Sequence, residues 1–198
     1  MSTQLANPAP LGLMGFGMTT ILLNIHNAGF FPIDSMILAM GIFYGGLSQV
    51  IVGIMCFKRG DTFGTTAFTS YGLFWLTLVG LIVMPYMGLP ASSAYSMGWY
   101  LLLWGIFTGF MFIGSLCYPV AKQVVFGSLT ILFALLAIRD FTGSEFIGVI
   151  AGFEGIFCGA SAIYFAMAQV INHEYGRTIL PIGAKKKEVA PVTQKVAA

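Results

Sequence analysis

The chain has 198 residues, 58% of them hydrophobic and only 8% charged, with a net charge of +2. A soluble globular domain carries roughly 25% charged residues, so a chain this apolar cannot cover itself with a wetted surface and has to be solvated by lipid. Its few basic residues form no nucleic-acid footprint. Cys56, Cys117 and Cys158 lack CxxC spacing and His neighbours, so no nucleic acid, metal, cofactor or disulfide is expected.

Six apolar segments follow one another, each near the roughly 20 residues that span hydrocarbon as a helix. The first runs about Pro10–His26. No Lys or Arg precedes it, so no secretory signal is expected. Asn7 can cap it, with Pro8 at the first helical position, where a missing N–H costs nothing. The positive end of that helix would attract a carboxylate, so Asn7 is a candidate for the solute path as well as a cap. Phe16, Thr20 and Asn24 fall at i, i+4 and i+8, on one face. Asn27-Ala28-Gly29 ends the segment, and His26 and Asp34 sit near an interface, where water reaches them.

The second segment, about Ser35–Phe57, carries Gln49. Lys58-Arg59-Gly60-Asp61 separates it from the third, about Thr62–Met84, where Thr62, Thr66, Thr69 and Ser70 make a polar stripe. Pro85 through Pro90 closes that segment. The fourth runs about Tyr95–Leu116. The fifth, about Pro119–Ile138, carries Thr130. Thr142-Gly143-Ser144 can then cap the sixth, about Glu145–Asn172. Glu154 lies well inside this last segment. Charge at that depth is rare, so Glu154 reads either as a proton or substrate site or as a neutral acid bonded to a neighbouring helix.

The resulting organisation is a cytoplasmic N-terminus at residues 1–9, a transmembrane domain at 10–172, and a Lys-rich cytoplasmic tail at 173–198, expected to be disordered. With six spans, both termini share a side with Lys58, Arg59, Lys122, Arg177, Lys185, Lys186, Lys187 and Lys195, while the other side has only Arg139. By the positive-inside rule both termini are expected in the cytoplasm.

The even-numbered helices share a pentapeptide: Gly41-Ile42-Phe43-Tyr44-Gly45, Gly105-Ile106-Phe107-Thr108-Gly109 and Gly155-Ile156-Phe157-Cys158-Gly159. The odd helices share Phe16-Gly17, Phe63-Gly64 and Phe126-Gly127, each followed closely by a Thr or Ser. These echoes predict an all-α integral membrane protein of six transmembrane helices, built as three helix-hairpin repeats around a central path in each protomer. The GxxxG glycines are expected at close helix contacts, within or between protomers. A path lined by hydroxyls and amides (Thr20, Asn24, Gln49, Thr69, Ser70, Thr130) suits a small polar solute or weak acid and suits a bare metal ion poorly. Each such hydroxyl has the alternative of bonding back to its own helix.

Asn7-Pro8-Ala9-Pro10-Leu11-Gly12-Leu13 resembles the signature of the acetate uptake transporter family, whose bacterial members are called succinate–acetate permeases. Met14-Gly15-Phe16-Gly17-Met18-Thr19-Thr20, Phe68-Thr69-Ser70-Tyr71-Gly72, Cys158-Gly159-Ala160-Ser161-Ala162-Ile163-Tyr164 and Gly176-Arg177-Thr178-Ile179-Leu180-Pro181 continue the resemblance over nearly the whole chain. The short N-terminus is similar to that of bacterial members, which implies the inner membrane. The resemblance implies a homohexamer with one path per protomer, and an apolar constriction of a Phe, a Tyr and a Leu. Here these are Phe16, Tyr71 and Leu129, one from each odd helix. It also puts Thr19 and Ala162 beside the path. Tyr71 projects away from Thr62, Thr66 and Thr69 on a straight helix, so either that stripe packs against a neighbour or the helix is irregular near Gly72.

The leading expectation is uptake of acetate and related small carboxylates, succinate among them, by proton-coupled transport or through a channel. The alternative is a hexameric channel for a small neutral solute such as urea or an amide, which explains the uncharged lining but not the Asn7–Leu13 motif. A membrane enzyme or receptor finds no nucleophile–base pair or large soluble domain to support it.

Overall fold

The computed structural model describes residues 5–183. Six membrane-length helices account for most of them: α1 Ala9–Asn27, α2 Ser35–Lys58, α3 Thr62–Val83, α4 Ala94–Ser115, α5 Val120–Thr142 and α6 Glu145–Glu174. No strand occurs among the described residues. With no water in the hydrocarbon, each backbone amide must find its partner within its own segment, and only helices manage this one segment at a time.

The helix ends follow local chemistry. Asp34 caps α2 by accepting from the amides of Met36 and Ile37 at 3.1 and 3.2 Å, and Asp61 caps α3 through the Gly64 amide at 2.8 Å. Ser93 and Ser144 do the same for α4 and α6. These short polar side chains satisfy amide groups that have no partner within the first turn. Asn7 acts one residue earlier than the sequence implied: the helix begins at Ala9, Pro8 occupies the cap position, and the Asn7 side chain accepts from the Ala9 amide at 3.2 Å.

The helices close into a ring in which α1 packs on α6 and α2, α2 on α3, α4 on α5, and α5 on α6. Between α1 and α6 the backbones approach closely. A methyl group added at Gly17 would stand 2.7 Å from the Gly159 carbonyl oxygen, and one added at Gly159 would stand 2.7 Å from that of Gly17. Glycines on both helices let the two backbones come this near. Between α3 and α4 the contact is made mainly by side chains. Phe74 stacks on Tyr100 at 5.8 Å between centroids, and the hydroxyls of Thr77 and Tyr100 bond at 2.8 Å.

Two features depart from the sequence expectations. First, α2 is π-helical from Met40 to Ser48. This stretch holds three glycines, Gly41, Gly45 and Gly46. Side chains take two of the carbonyls there: Thr19 donates to Met40 O at 3.3 Å, and Gln49 donates to Gly45 O at 2.7 Å. Wide turns inside a membrane helix persist where neighbours satisfy the backbone in this way. Second, the ordered chain extends past residue 173. Asn172 accepts from the amides of Ile179 and Leu180 at 2.7 and 2.9 Å and donates to Leu180 O at 2.8 Å. Tyr164 donates to Pro181 O at 2.7 Å, and the Val120 and Ala121 amides opening α5 bond to the carbonyls of Gly183 and Ile182. The expected disordered tail is therefore ordered through Gly183, and the rest of it lies outside the described residues.

The repeated pentapeptides divide similarly. Methyl groups added at Gly45 and Gly159 would collide with the neighbouring helix, whereas one at Gly109 would meet nothing nearer than Thr130 Cγ2 at 3.9 Å. Within the α4 pentapeptide the nearer approach falls at Gly105, 3.3 Å from Phe133 Cβ on the same test. The three repeats are thus unequal, and α4 is the helix least covered by the rest of the protomer.

Candidate translocation path

The odd-numbered helices α1, α3 and α5 all begin at the end of the ring that carries both described chain ends. A cavity of about 290 Å³ opens there, between their first turns and the last turns of α6. Its mouth is polar. Asn7 donates from Nδ2 to Gln169 Oε1 at 3.0 Å, and Asp61, Tyr118 and Lys122 complete the rim. Arg59 donates to the Ala6 carbonyl and ties the segment before α1 to the α2–α3 loop. Loss of hydration pushes the Tyr118 phenol up, so it stays neutral and protonated at neutral pH. The positive ends of three helix dipoles point into this mouth.

Deeper, the walls turn apolar through Leu13, Phe68, Val125, Phe126 and Phe165, with the Gln49 carboxamide the one polar exception. The floor is Phe16, Tyr71 and Leu129. They are the eighth residue of α1, the tenth of α3 and the tenth of α5, so each odd helix delivers its side chain at nearly the same depth. Their exposures are 6%, 4% and 3%, so all three side chains are buried at the end of the lining furthest from the mouth.

Tyr71 is fixed by an aromatic cage. Its ring lies 6.1 Å from Phe16, 5.5 Å from Phe107 and 6.2 Å from Phe126. Its hydroxyl donates to Thr108 Oγ1 at 3.1 Å, and Thr108 donates in turn to Trp104 O at 2.7 Å. The phenol oxygen is therefore anchored to α4, and the ring forms the floor. Dewetting at such a ring stops hydrated ions and admits a solute that sheds water.

The remaining candidate residues separate by role. Asn7 and Gln49 line the cavity with the three floor residues. Thr20 is 2% exposed, and its Oγ1 is buried without a partner one turn past Phe16. Asn24 donates to Thr20 O at 2.8 Å and packs against Gly155 of α6. Ala162 is fully buried on the inner face of α6, one turn from the cavity-lining Phe165. The rest lie off the vestibule. Thr19 faces α2. The side chain of Thr69 packs against Gly53 of α2, which settles the geometry of the α3 stripe: α3 is a regular α-helix, with Thr62 and Thr66 exposed and Tyr71 turned inward. Ser70 is half-buried outside the lining, and Thr130 bonds back to Phe126 O at 2.8 Å. Glu154 is half-buried away from the vestibule, with Oε2 sealed from solvent and unpartnered. His26 pairs with Phe31 O at 2.8 Å near the opposite end of α1.

Sequence reading passed over Thr108, Lys122, Tyr118 and Gln169. Gln169 was within reach, since it continues the inner face of α6 at i+7 from Ala162 and i+4 from Phe165. In the sequence Asp61 marks a segment boundary and Lys122 counts only toward the charge bias.

A ring of six membrane helices around a vestibule with a polar mouth and an apolar mid-membrane floor defines a multi-pass transporter or channel. The chain belongs to the GPR1/FUN34/yaaH family, which its residues 1–182 match. It is 61% identical over 183 residues to the succinate-acetate/proton symporter SatP of Escherichia coli strain K12, covering 92% of this chain and 97% of that one. The solved structure of the bacterial acetate channel SatP superposes with a TM-score of 0.90 at 60% identity, covering 91% of this chain and all of that one. Acetate permease A of Emericella nidulans is 34% identical over 199 residues, covering 90% of this chain and 66% of that one. These relatives are transporters or channels by name, and the family is not one of enzymes.

Proposed function

We propose that this protein moves acetate and related small carboxylates, succinate among them, across the bacterial inner membrane, with one path in each protomer of a homohexamer and both termini in the cytoplasm. The observation that carries the reading is the vestibule of about 290 Å³ closed by Phe16, Tyr71 and Leu129, in a chain 60% identical to a bacterial acetate channel. Acetate has a methyl group to slide against an apolar ring and a carboxyl group for the polar mouth. A carboxyl with a pKa near 4 to 5 leaves about one acetate in several hundred protonated at neutral pH. The floor disfavours the bare anion, so passage is coupled to a proton or to loss of the hydration shell.

Orientation is supported by eight basic residues on the side of the termini against Arg139 on the other. The test is uptake by purified protein in vesicles, with acetate, succinate and urea as parallel solutes and an internal pH dye. Saturable entry of acetate, with urea excluded, is expected. Entry of urea with acetate excluded would refute the reading in favour of a neutral-solute channel. Acidification inside that tracks acetate entry marks proton coupling. Reporter fusions at Ala198 should be active only with a cytoplasmic enzyme, and a mass measurement in detergent should return six protomers.

A further inference from the structure

Lys122 is the one cation lining the vestibule among the described residues, and the transport reading above gives it no part. Its placement is unusual for a membrane-edge lysine. Asp61 shares the rim, but its Oδ1 is held by the Gly64 amide at 2.8 Å, and the ion pair found among the described residues is that of Arg139 with Asp140. The Lys122 ammonium instead lies against two ring faces, 3.7 Å from the centroid of Phe63 and 3.4 Å from that of Tyr118. The two rings stand 5.3 Å apart and 53° to one another, so they form a corner. Phe63 is braced from behind by the edge of Phe126, at 5.1 Å and 83°.

Ring faces hold a cation without neutralising it. Asp61 acts on the ammonium through space but forms no ion pair with it among the described residues, so the aromatic corner leaves its N–H donors available. An ammonium has three N–H donors, and two ring faces leave donor capacity for an oxygen in the vestibule. The neighbouring Tyr118 hydroxyl, neutral at physiological pH, adds a donor without adding negative charge. Lys122 lies seven residues before Leu129 on α5, about 10 Å along the axis.

We propose that Lys122, seated in the Phe63–Tyr118 corner, is a carboxylate-binding station at the vestibule mouth, the cytoplasmic end of the path in the orientation proposed above, that holds the solute as an anion on the termini side of the floor. This rests on the transport reading, and the two can fail separately. If wild-type protein in vesicles carries no acetate, that reading fails, whatever Lys122 does.

Given wild-type transport, the variants are Lys122→Met, an unbranched side chain that keeps apolar packing on the rings, Lys122→Gln, and Lys122→Arg. Acetate entry from the mouth side is measured per folded protomer, in vesicles that carry the termini outside, over a range of concentrations and at two ionic strengths. Removal of the charge should raise the KM for acetate roughly 1.5- to fivefold, the range expected of one solvated charge pair, with the maximal rate nearly unchanged. Lys122→Arg should restore the KM. The wild-type KM should rise with salt, and that dependence should vanish in Lys122→Met. A lysine that serves only topology or packing would lower the amount of folded protein and leave the KM and its salt dependence alone, and that result would overturn the proposal. If neither neutral variant folds, the comparison of wild type with Lys122→Arg under salt still decides: a wild-type KM indifferent to ionic strength refutes the station.

Discussion

Leu129→Ala tests whether the floor of the vestibule is a filter or ordinary core. Leu129 is 3% exposed and meets the cavity on one side and packed protein on the other. The substitution removes three carbons and the van der Waals contacts they make, which in lipid carry the helix packing. Leu→Ala changes in sealed cores cost about 2–5 kcal/mol, the upper end arising where the new void stays empty. Here the void joins an existing cavity, so the loss should fall near 2–3 kcal/mol, at the low end of that range. Function should respond differently from stability. One carbon-sized group in an apolar pocket is worth about tenfold or more in discrimination. The ratio of lactate to acetate uptake should therefore rise about tenfold per folded protomer. Leu101→Ala is the control: Leu101 is 4% exposed, on α4 and outside the cavity lining, so it should lose comparable stability with no change in the ratio. The assay is uptake of the two labelled acids by equal amounts of folded protein in vesicles. An unchanged ratio in Leu129→Ala, or an equal shift in Leu101→Ala, would show that these residues are not the filter.

Thr108→Val keeps the shape of the side chain and removes the acceptor of the buried Tyr71 hydroxyl, so thermal unfolding should show a loss of about 1–3 kcal/mol, whereas Thr130→Val, which removes only a bond back to its own helix, should change little. Gly159→Leu should abolish assembly of the α1–α6 pair while Gly109→Leu is tolerated, as read from folded yield after detergent extraction; equal tolerance would contradict the packing described. Glu154→Gln should leave the pH profile of acetate uptake unchanged, because the side chain lies off the vestibule, and a flattened profile would restore Glu154 to the proton path.

The helices were legible in the sequence because their ends are written in local chemistry. Asp34, Asp61, Ser93 and Ser144 each cap the helix that follows, and the apolar runs between have membrane length. Hydroxyl roles were not legible. Thr19 and Thr20 are adjacent and equally buried, yet one bonds across to α2 and the other is unpartnered beside the floor. Which hydroxyl faces the path depends on the rotation of each helix, and the neighbours set that rotation. The π-helical turn of α2 shifts register in a way that glycine spacing alone does not encode. Composition also hid the order of the chain through Gly183, since the side chain of Asn172 holds it at a distance of seven and eight residues. Lys122 looked like any cytoplasmic lysine because Phe63 and Tyr118, which hold it, come from elsewhere in the chain.

Mouth and floor divide recognition between them, and the division can be tested. In the proposed reading Lys122 acts on charge, in contact with water, while Phe16, Tyr71 and Leu129 act on size and hydration where the path is dry. The two stations share α5 but stand about 10 Å apart, further than a two-carbon acid can reach with both ends at once. Changes at sites that far apart, with no shared partner, usually add within about 0.3–0.5 kcal/mol. In Lys122→Met combined with Leu129→Ala, the rise in KM and the rise in the lactate-to-acetate ratio should therefore each keep the size seen in the single variants. Succinate, four carbons long, also falls short of that span, so the two changes should stay additive for it as for acetate. Coupling for acetate would mean that one bound solute senses both places, which would merge mouth and floor into a single site.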